Sequence, residues 1–403
     1  MIKVAVLGYG TVGSGVVEVI TTNKTIIEER IGDSIEIKYV LDLRDFPGTP
    51  VEHLIVHDFE QIVSDDEVDI VVEVMGGVEP AYTFVKKSLL AGKSVATSNK
   101  ALVAAKGAEL LAIAQEKNIN FLFEASVGGG IPIIRPIGNS LTADKIEEIT
   151  GILNGTTNYM LTKMYNEGAN YDDVLKEAQD NGYAERDPSA DVEGYDACRK
   201  IAILSSLISG KQVDFEDIYT EGITQITPKD IAYAKAMNMK IKLLASCKQE
   251  GDKLGAIVAP HLVNQEHPLY SVDGVFNAIF VKGNVLGDAM FYGSGAGKLP
   301  TASAVVADIV EAARNLNRSM MLSWKAEKLQ LEEKSNTKKR FFVRIQGTKE
   351  ELQADIETVF GNVSFVVLDG ETTEFGFVTE SVEEGQFESK KEKFPQICQV
   401  IRM

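Results

Sequence analysis

Apolar runs alternate with amphipathic stretches along the N-terminal part of the chain. The apolar runs cover residues 2–7, 35–41, 68–74, 94–96 and 120–124. Between several of them, the stretches 14–29, 80–91 and 101–117 have the periodicity of helices. Strands that alternate with helices form a parallel, doubly wound α/β sheet, and its ligands bind at the carboxyl ends of the strands. The pattern therefore predicts a Rossmann-type sheet of five strands.

The middle of the chain predicts a second, α+β region that begins at residue 127. We expect strands at 240–249, 254–260, 275–282 and 284–290. We expect helices at 157–167, 171–181 and 193–209. A glycine-rich turn at 292–300 then precedes a predicted helix at 301–314.

The C-terminal pattern predicts a small ferredoxin-like βαββαβ domain after a charged, weakly apolar segment at 325–340. We expect strands at 340–346, 363–368, 374–378 and 396–401, and helices at 349–360 and 382–391.

Composition narrows the functional classes. With 403 residues, 44% of them apolar, the chain can form two or three domains. A formal charge of −18 argues against nucleic-acid and anionic-membrane partners. Three scattered cysteines suit a reducing compartment, without a disulfide framework or zinc site. Because no signal peptide or spanning apolar segment is apparent, we expect a cytoplasmic protein.

A glycine motif follows the first apolar run directly. Gly8, Gly10 and Gly13, with Thr11 and Val12 between them, separate a predicted strand from a predicted helix. In this context Gly8 allows the turn, Gly10 lets a pyrophosphate approach the backbone, and Gly13 lets helix and strand pack closely. The motif indicates a dinucleotide site, with phosphates at the N-terminus of the helix.

Two further sheet-edge segments carry candidate cofactor contacts. After the second run, Asp42 suits the ribose hydroxyls of NAD, whereas Arg44 suits the 2′-phosphate of NADP. Strand-end solvation is the alternative for both. The loop containing Ser98 and Lys100 follows the fourth run, where a nicotinamide would end, although it could simply cap the next helix.

Carboxylates and a lysine cluster ahead of the apolar run at 201–204. Asp196 and Lys200 stand four residues apart and therefore share one helix face. They could form an ordinary surface ion pair. With Glu185 and Asp191 nearby in sequence, Lys200 is instead a candidate proton donor or acceptor.

Together these motifs resemble the homoserine dehydrogenases. The segments that carry the resemblance are 8–15, 99–103, 124–132, 151–158 and 182–200, in order and at consistent spacing. The resemblance implies nicotinamide-dependent interconversion of homoserine and aspartate 4-semialdehyde, in threonine and methionine synthesis. It also implies a homodimer or homotetramer.

The resemblance further implies roles for individual residues. Lys100 and Lys200 would be the acid–base lysines, and Glu185, Asp191 and Asp196 would hold the substrate. The helix after Gly297 would complete the cofactor domain. A sodium ion would be held by backbone carbonyls at Glu124, Val127, Gly129 and Ile131. Between the two nicotinamide cofactors, Arg44 favours NADP(H) over NAD(H).

The expected domains are a dinucleotide-binding domain, a substrate-binding and dimerisation domain, a linker and an ACT-like domain. Their boundaries are 1–126 (completed by about 300–320), 127–299, 321–337 and 338–403. ACT domains of this family commonly sense threonine, but here the usual Pro-Gly loop is replaced by residues 347–350. We therefore expect a regulatory or assembly module that is dispensable for the chemistry.

Three alternatives remain at this stage. Another amino-acid dehydrogenase could share the two-domain plan. An aldehyde-oxidising semialdehyde dehydrogenase would need a nucleophilic cysteine, and Cys198 lies on a different helix face from Lys200. A non-enzymatic nucleotide sensor would not need the clustered lysines and carboxylates.

Overall fold

A computed structural model describes residues 1–320 and 322–403. Its strands are β1 (Ile2–Leu7), β2 (Ile35–Leu41), β3 (Ile55–Val56), β4 (Ile70–Glu73), β5 (Ser94–Thr97), β6 (Phe121–Leu122), β7 (Ile146–Ile152), β8 (Lys211–Gln212), β9 (Tyr219–Thr220), β10 (Met239–Glu250), β11 (Lys253–Asn264), β12 (Phe276–Gly283), β13 (Gly287–Ser294), β14 (Lys325–Lys328), β15 (Lys338–Lys339), β16 (Phe341–Gln346), β17 (Val363–Val366), β18 (Glu374–Thr379), β19 (Val382–Glu383) and β20 (Ile397–Arg402).

The α-helices connect these strands. They are α1 (Thr11–Thr22), α2 (Lys24–Ile31), α3 (Glu60–Val63), α4 (Ala81–Leu90), α5 (Lys100–Glu116), α6 (Ala125–Gly128), α7 (Gly155–Glu167), α8 (Tyr171–Asp180), α9 (Ser189–Val192), α10 (Tyr195–Ser209), α11 (Pro228–Ala236), α12 (Lys298–Arg314), α13 (Lys349–Phe360) and α14 (Glu384–Lys391). No helix among the described residues is long and apolar enough to cross a membrane.

The described residues form two compact units. The first comprises Met1–Lys145, Ala202–Phe215 and Phe291–Leu329, and the second comprises Ile146–Ile201, Glu216–Met290 and Gln330–Met403. The domain division expected from the sequence stays a prediction. The expected linker begins at residue 321, which lies outside the described residues. Later residues of this linker form the short strand β14, which pairs with β8.

A parallel sheet organises the first unit, with strand order β3-β2-β1-β4-β5-β6. This confirms the Rossmann-type prediction, since the order reverses beside β1 and places the switch point at its carboxyl end. Apolar residues of β1, α1 and α12 share one core. That core includes Val4, Val16 and Val305, none of which has exposed surface.

The sheet differs from the prediction in two places. It has a sixth strand, β3, whose two residues are too few for a periodic signal. The helix predicted at 14–29 is divided into α1 and α2 at Asn23, which ends the first helix and begins the second. Neither difference moves the carboxyl edge of the sheet, where the candidate site residues lie.

A mixed sheet of the second unit has the order β13-β12-β7-β10-β11-β20-β16-β18-β17, with β9 also paired to β11. Strand β7 was not predicted, because Glu147, Glu148 and Thr150 interrupt its apolar pattern. It nevertheless pairs with both β10 and β12, which puts it in the interior of the sheet. The loop after β7 therefore begins from a fixed position.

The C-terminal module, residues 341–403, has the predicted βαββαβ order, except that the two-residue strand β19 occupies the start of the helix predicted at 382–391. Its strands are arranged β20-β16-β18-β17 and are antiparallel to their neighbours, as in a ferredoxin-like fold. Buried phenylalanines form its core, and Phe341 stacks on Phe387 with ring centroids 4.0 Å apart. Through β20, the module continues the sheet that contains β11.

Candidate active site

The Asp196–Lys200 pair lies at the start of α10 in the second unit. Lys200 Nζ donates to Asp196 Oδ2 and to the Leu153 carbonyl, each at 2.7 Å. The two side chains retain only 10% and 6% of their exposure. A buried lysine held by a carboxylate and a carbonyl differs from a surface ion pair, because both charged groups have lost most of their water.

Asn154 connects this pair to Asp191. Its Nδ2 donates to Asp191 Oδ1 at 2.7 Å and to Asp196 Oδ2 at 3.0 Å. Its Oδ1 accepts from the backbone of Thr157 at 2.9 Å and so caps α7. Sequence reasoning included Asn154 in a motif but gave it no role, although a capping asparagine before a helix was a readable signal.

Glu185 lies on the loop between α8 and α9 and is exposed. Gln179 Nε2 donates to the backbone carbonyl of Glu185 at 3.1 Å, which fixes the loop by its main chain. The structure thus brings Asp191, Asp196 and Lys200 into one hydrogen-bonded network and places Glu185 on a neighbouring loop of the same unit.

The three glycines of the motif in the first unit lie in different steric environments. Gly8 has a φ of 99°, which favours glycine. A Cβ on Gly13 would lie 1.9 Å from the Gly8 carbonyl oxygen, so only glycine permits this approach of α1 to β1. A Cβ on Gly10 would meet nothing within 4 Å in the chain. Thr11 and Val12 form the first turn of α1, whose amide groups suit an anion.

Asp42 and Arg44 bind each other after β2. Arg44 Nε lies 3.0 Å from Asp42 Oδ1, and Arg44 Nη2 lies 3.1 Å from Asp42 Oδ2. Asp42 Oδ2 also accepts from the Tyr9 backbone at 2.9 Å. The hydrogen bond from Arg44 lowers the pKa of Asp42 to about 2. The two candidate cofactor readers therefore form one ionised pair, in which the Arg44 side chain remains 64% exposed.

Glu73 fixes the loop that begins α5. Its carboxylate has no exposed surface and accepts from Thr97 Oγ1 at 2.6 Å and from the Met75 backbone at 2.8 Å. Burial raises the pKa of Glu73, whereas these hydrogen bonds oppose the rise. Asn99 caps α5 by accepting from Leu102. Half-buried Ser98 and Lys100 are thereby held at the carboxyl end of β5. Glu73 was not singled out from sequence.

The candidate sodium loop runs from Glu124 to Ile131 around α6. The Glu124 carboxylate accepts from the backbones of Ile133, Ile134 and Arg135 at 2.5–2.8 Å. Its side chain is thus occupied by hydrogen bonds within the chain, so its main-chain carbonyl is the candidate ligand for a cation. Among the described residues no group of three or more His, Cys, Asp or Glu side chains could hold a metal.

Glycines shape the sodium loop. Gly129 has a φ of 57°, and its Cβ would lie 2.2 Å from the Gly295 carbonyl oxygen. Gly130 donates its backbone N–H to Ser294 at 3.1 Å. Gly297, with a φ of 114°, then caps α12. Carbonyl oxygens are the donors that hard cations prefer, so a loop fixed this closely fits a main-chain cation site.

Asp308 of α12 supports the start of the same loop. Its Oδ2 accepts from the Glu124 backbone at 2.9 Å, and its Oδ1 lies 2.5 Å from Arg135 Nη2. Burial raises the pKa of Asp308 to about 7, although Arg135 opposes the rise. This cluster lines a cavity of about 110 Å³ with Leu122, Phe123 and neighbouring apolar side chains.

Cys198 does not suit nucleophilic chemistry. It is 2% exposed, and burial raises the pKa of its thiol despite a hydrogen bond with Thr220. Since the thiolate is the nucleophile, a raised pKa reduces reactivity. The cysteine requirement of an aldehyde-oxidising semialdehyde dehydrogenase is therefore not met at this position.

Two family descriptions match the chain. "Homoserine dehydrogenase, NAD binding domain" matches residues 8–124, and "Homoserine dehydrogenase" matches residues 132–310. The homoserine dehydrogenase of Bacillus subtilis is 44% identical over 322 residues, covering 78% of this chain and 73% of that protein. The Helicobacter pylori enzyme is 42% identical over 369 residues, covering 91% and 85%.

Solved structures agree with the sequence matches. A homoserine dehydrogenase from Thiobacillus denitrificans superposes with a TM-score of 0.90 at 36% identity, covering 100% of this chain and 97% of that one. A hyperthermophilic archaeal homoserine dehydrogenase in complex with NADPH has a TM-score of 0.67 at 30% identity, covering 77% and 97%.

Proposed function

This chain belongs to the homoserine dehydrogenase family, and from that premise we propose how its own residues perform the reaction. The enzyme is an NAD(P)-dependent oxidoreductase that interconverts homoserine and aspartate 4-semialdehyde. When bound, the nicotinamide accepts a hydride from the hydroxyl-bearing carbon of homoserine. The protein must then bind the amino acid, orient its hydroxyl and move one proton.

Lys200 is the proposed acid–base group. The observation that carries the proposal is its buried contact with Asp196 and the Leu153 carbonyl. These acceptors fix the position of Nζ near the N-terminal end of α10. In homoserine oxidation the neutral amine form of Lys200 takes the hydroxyl proton and becomes the ammonium, and in the reverse direction this ammonium returns a proton to the developing alkoxide.

Asp191, Asp196 and Glu185 are proposed to bind the substrate, whose α-ammonium requires anionic partners. The support is that Asn154 holds the first two carboxylates in one network. Lys100 is the second proposed acid–base residue, on the cofactor side of the reaction. Its support is its position after β5, where the carboxyl edge of a parallel sheet binds ligands.

NADP(H) is the proposed preferred cofactor, with Arg44 as the residue that recognises its 2′-phosphate. Gly8, Gly10 and Gly13 would admit the pyrophosphate at the N-terminus of α1, beside Thr11 and Val12. Ser98 and Gly297 complete the proposed cofactor contacts, because they precede α5 and α12.

Sodium is the proposed structural cation, held by the carbonyls of Glu124, Val127, Gly129 and Ile131. It would supply positive charge that fixes this loop, without exchanging electrons or protons. A higher melting temperature in sodium chloride than in choline chloride at equal ionic strength would support the site. Equal melting temperatures would contradict it.

The proposed assembly is a homodimer or homotetramer formed through residues 127–299, with threonine as an effector of residues 338–403. The ferredoxin-like strand order of the C-terminal module supports the ACT-like assignment. Sedimentation velocity tests the assembly, and the kinetics of homoserine oxidation with and without threonine test the effector. A monomer at micromolar concentration would contradict the first, and unchanged kinetics in threonine would contradict the second.

The function is tested by following oxidation of NADPH by aspartate 4-semialdehyde. We expect Lys200→Ala, and separately Lys100→Ala, to lower kcat by roughly 10²- to 10⁴-fold, because proton transfer is lost. Lys176→Ala is a matched control, since Lys176 also pairs with an aspartate four residues away but is 75% exposed. A wild-type kcat in either test variant would remove that lysine from the mechanism.

A further inference from the structure

Residues 219–223 of the second unit, here called the bridging segment, contact two functional parts of that unit. The segment contains β9, which pairs with Ile257 and Val258 of β11. One group of its contacts is with the C-terminal module. The other is with the turn before α10, which carries Asp196 and Lys200.

The contact with the module is a buried arginine. Arg402 is 5% exposed, and its Nη1 donates to Glu221 Oε2 at 2.6 Å. Its Nη2 donates to Glu384 Oε1, also at 2.6 Å. Tyr219 donates its hydroxyl to Glu221 Oε2 at 3.1 Å, and its ring lies 5.1 Å from the guanidinium carbon. A planar guanidinium held by three groups leaves Glu221 little freedom.

The contact with the substrate turn is made by the backbone. Ile223 donates its N–H to the Val192 carbonyl at 2.8 Å. A Cβ on Gly222 would lie 2.1 Å from that same oxygen, so only glycine at this position allows the two backbone segments to approach so closely. Thr220 also hydrogen-bonds Cys198 of α10.

The turn held in this way links the two substrate carboxylates. Val192 follows Asp191 directly, and Gly194, with a φ of 85°, donates its N–H to the Asp191 carbonyl at 3.0 Å. Helix α10 then begins at Tyr195, next to Asp196. A shift of the bridging segment would therefore move both carboxylates relative to Asn154.

We propose that the Arg402–Glu221 pair positions Asp191 and Asp196 for homoserine, so that the C-terminal module sets the affinity of the substrate site. The pair acts through the bridging segment and the Val192 turn. This inference rests on the proposed substrate role of Asp191 and Asp196. Displacements of about 1 Å in substrate-positioning groups are enough to impair an enzyme, which is why a backbone contact can carry the effect.

A second buried arginine of the module provides a matched control. Arg344 is 8% exposed and contacts Asp230 and Glu374, each at 2.9 Å. Asp230 belongs to α11 and caps that helix with Thr227. Arg344 thus makes an equally buried ion pair with the rest of the unit, but its partners lie outside the bridging segment.

The test measures steady-state kinetics of homoserine oxidation by NADP in the full-length protein. Glu221→Gln removes the charge and keeps the shape, and Arg402→Lys keeps the charge but loses the planar fork. We expect each to raise KM for homoserine by roughly 3- to 30-fold, with KM for NADP unchanged. The double variant should raise KM for homoserine no more than the more impaired single variant, because both substitutions disrupt the same Arg402–Glu221 contact. Arg344→Lys should lower the melting temperature and leave KM for homoserine within about 2-fold of wild type.

An unchanged homoserine KM in both Glu221→Gln and Arg402→Lys would overturn the inference, and so would an equal rise in Arg344→Lys. If Arg402→Lys does not fold, Glu221→Gln decides, since the Glu221 side chain is 35% exposed and tolerates the change better. Asp196→Asn separates the two proposals. If it leaves kcat and homoserine KM unchanged, the substrate site itself is wrong. If it impairs them while Glu221→Gln does not, only the positioning role fails.

Discussion

Burial distinguishes lysines that have the same partner type and spacing. Lys176 and Lys200 each face an aspartate four residues away on a helix, yet the first pair is mostly exposed and the second is almost fully buried. Lys242, at 1% exposure, is also buried, and its contacts are Asp273, Asn158 and the Val272 carbonyl. Burial lowers the pKa of Lys242, while Asp273 partly offsets this effect. Sequence spacing alone cannot separate the environments of Lys176 and Lys200, whereas the Asp273 partner of Lys242 lies 31 residues away in the chain.

Arg44 should decide the preference between the two nicotinamide cofactors. We expect Arg44→Ala to lower kcat/KM for NADPH by about 10-fold or more, because a charge-assisted phosphate contact is lost. NADH should be affected little. The Asp42 carboxylate, freed from Arg44, would add repulsion toward a 2′-phosphate, because an aspartate with an ordinary pKa is still ionised at neutral pH.

The control for Arg44 is Arg30→Ala, at the end of α2 and therefore before the amino end of β2. It should change neither cofactor's kcat/KM. Equal losses for NADPH and NADH in Arg44→Ala would show that Arg44 does not read the 2′-phosphate.

His261 should make stability fall in mild acid. Burial lowers its pKa to about 3, and the positive charges of Lys339 and Arg402 act in the same direction. The unfolded chain binds this proton near pH 6.5 and the folded chain does not, so stability is full above pH 6.5 and decreases as pH falls toward 3. The contribution is about 1.4 kcal/mol per pH unit within that window.

Urea unfolding at pH 7, 6 and 5 measures the effect. His261→Gln should show a shallower loss of unfolding free energy with falling pH than wild type does, whereas exposed His53→Gln should match wild type. Parallel curves for wild type and His261→Gln would exclude this histidine as a source of the acid sensitivity.

At the scale of elements, substitutions of two glycines in the turn between β1 and α1 should affect stability and cofactor binding separately. Gly13→Ala places a methyl group against the Gly8 carbonyl, so we expect a loss of several kcal/mol in stability. Gly10→Ala meets no atom of the chain and should fold normally. If the pyrophosphate approaches Gly10, however, the new methyl group should raise KM for NADPH by about 10-fold or more.

Thermal unfolding and NADPH titration distinguish these two outcomes. A Gly10→Ala protein with normal stability and normal NADPH affinity would argue against pyrophosphate binding at this turn.

The sequence predicted regular elements better than it predicted the contacts between them. Strand β1 was placed at its observed bounds because it is buried on both faces and reads as a continuous apolar run. Strand β7 was missed because its polar residues hide its interior position in the sheet. Asn154 acquired its role only when folding brought it to Asp191, 37 residues away. Such long-range hydrogen bonds leave no periodic signal in the chain.

At the scale of the molecule, the C-terminal module should contribute more than regulation. Its removal would leave Asp230, with no exposed surface, without Arg344, and would leave Glu221 without Arg402. We therefore expect a chain that ends at Asn336 to be less stable, with a raised homoserine KM.

The truncated chain should still bind NADPH, and any threonine response should disappear. Calorimetry and homoserine kinetics of the truncated and full-length proteins measure these effects. Full retention of stability and homoserine KM would favour the dispensable module expected from the sequence.

The arrangement of the first unit along the chain has a consequence for biosynthesis. Helix α12 packs on α1, where a Cβ on Gly15 would lie 2.8 Å from the Lys298 carbonyl, yet the two helices are separated by the whole of the second unit's first two segments. During translation, one apolar face of the N-terminal sheet therefore stays uncovered until residues 298–314 leave the ribosome. Contacts between segments far apart in the chain slow folding, and until they form they leave aggregation-prone apolar surface exposed. Chaperone dependence during translation should accordingly be concentrated in this interval.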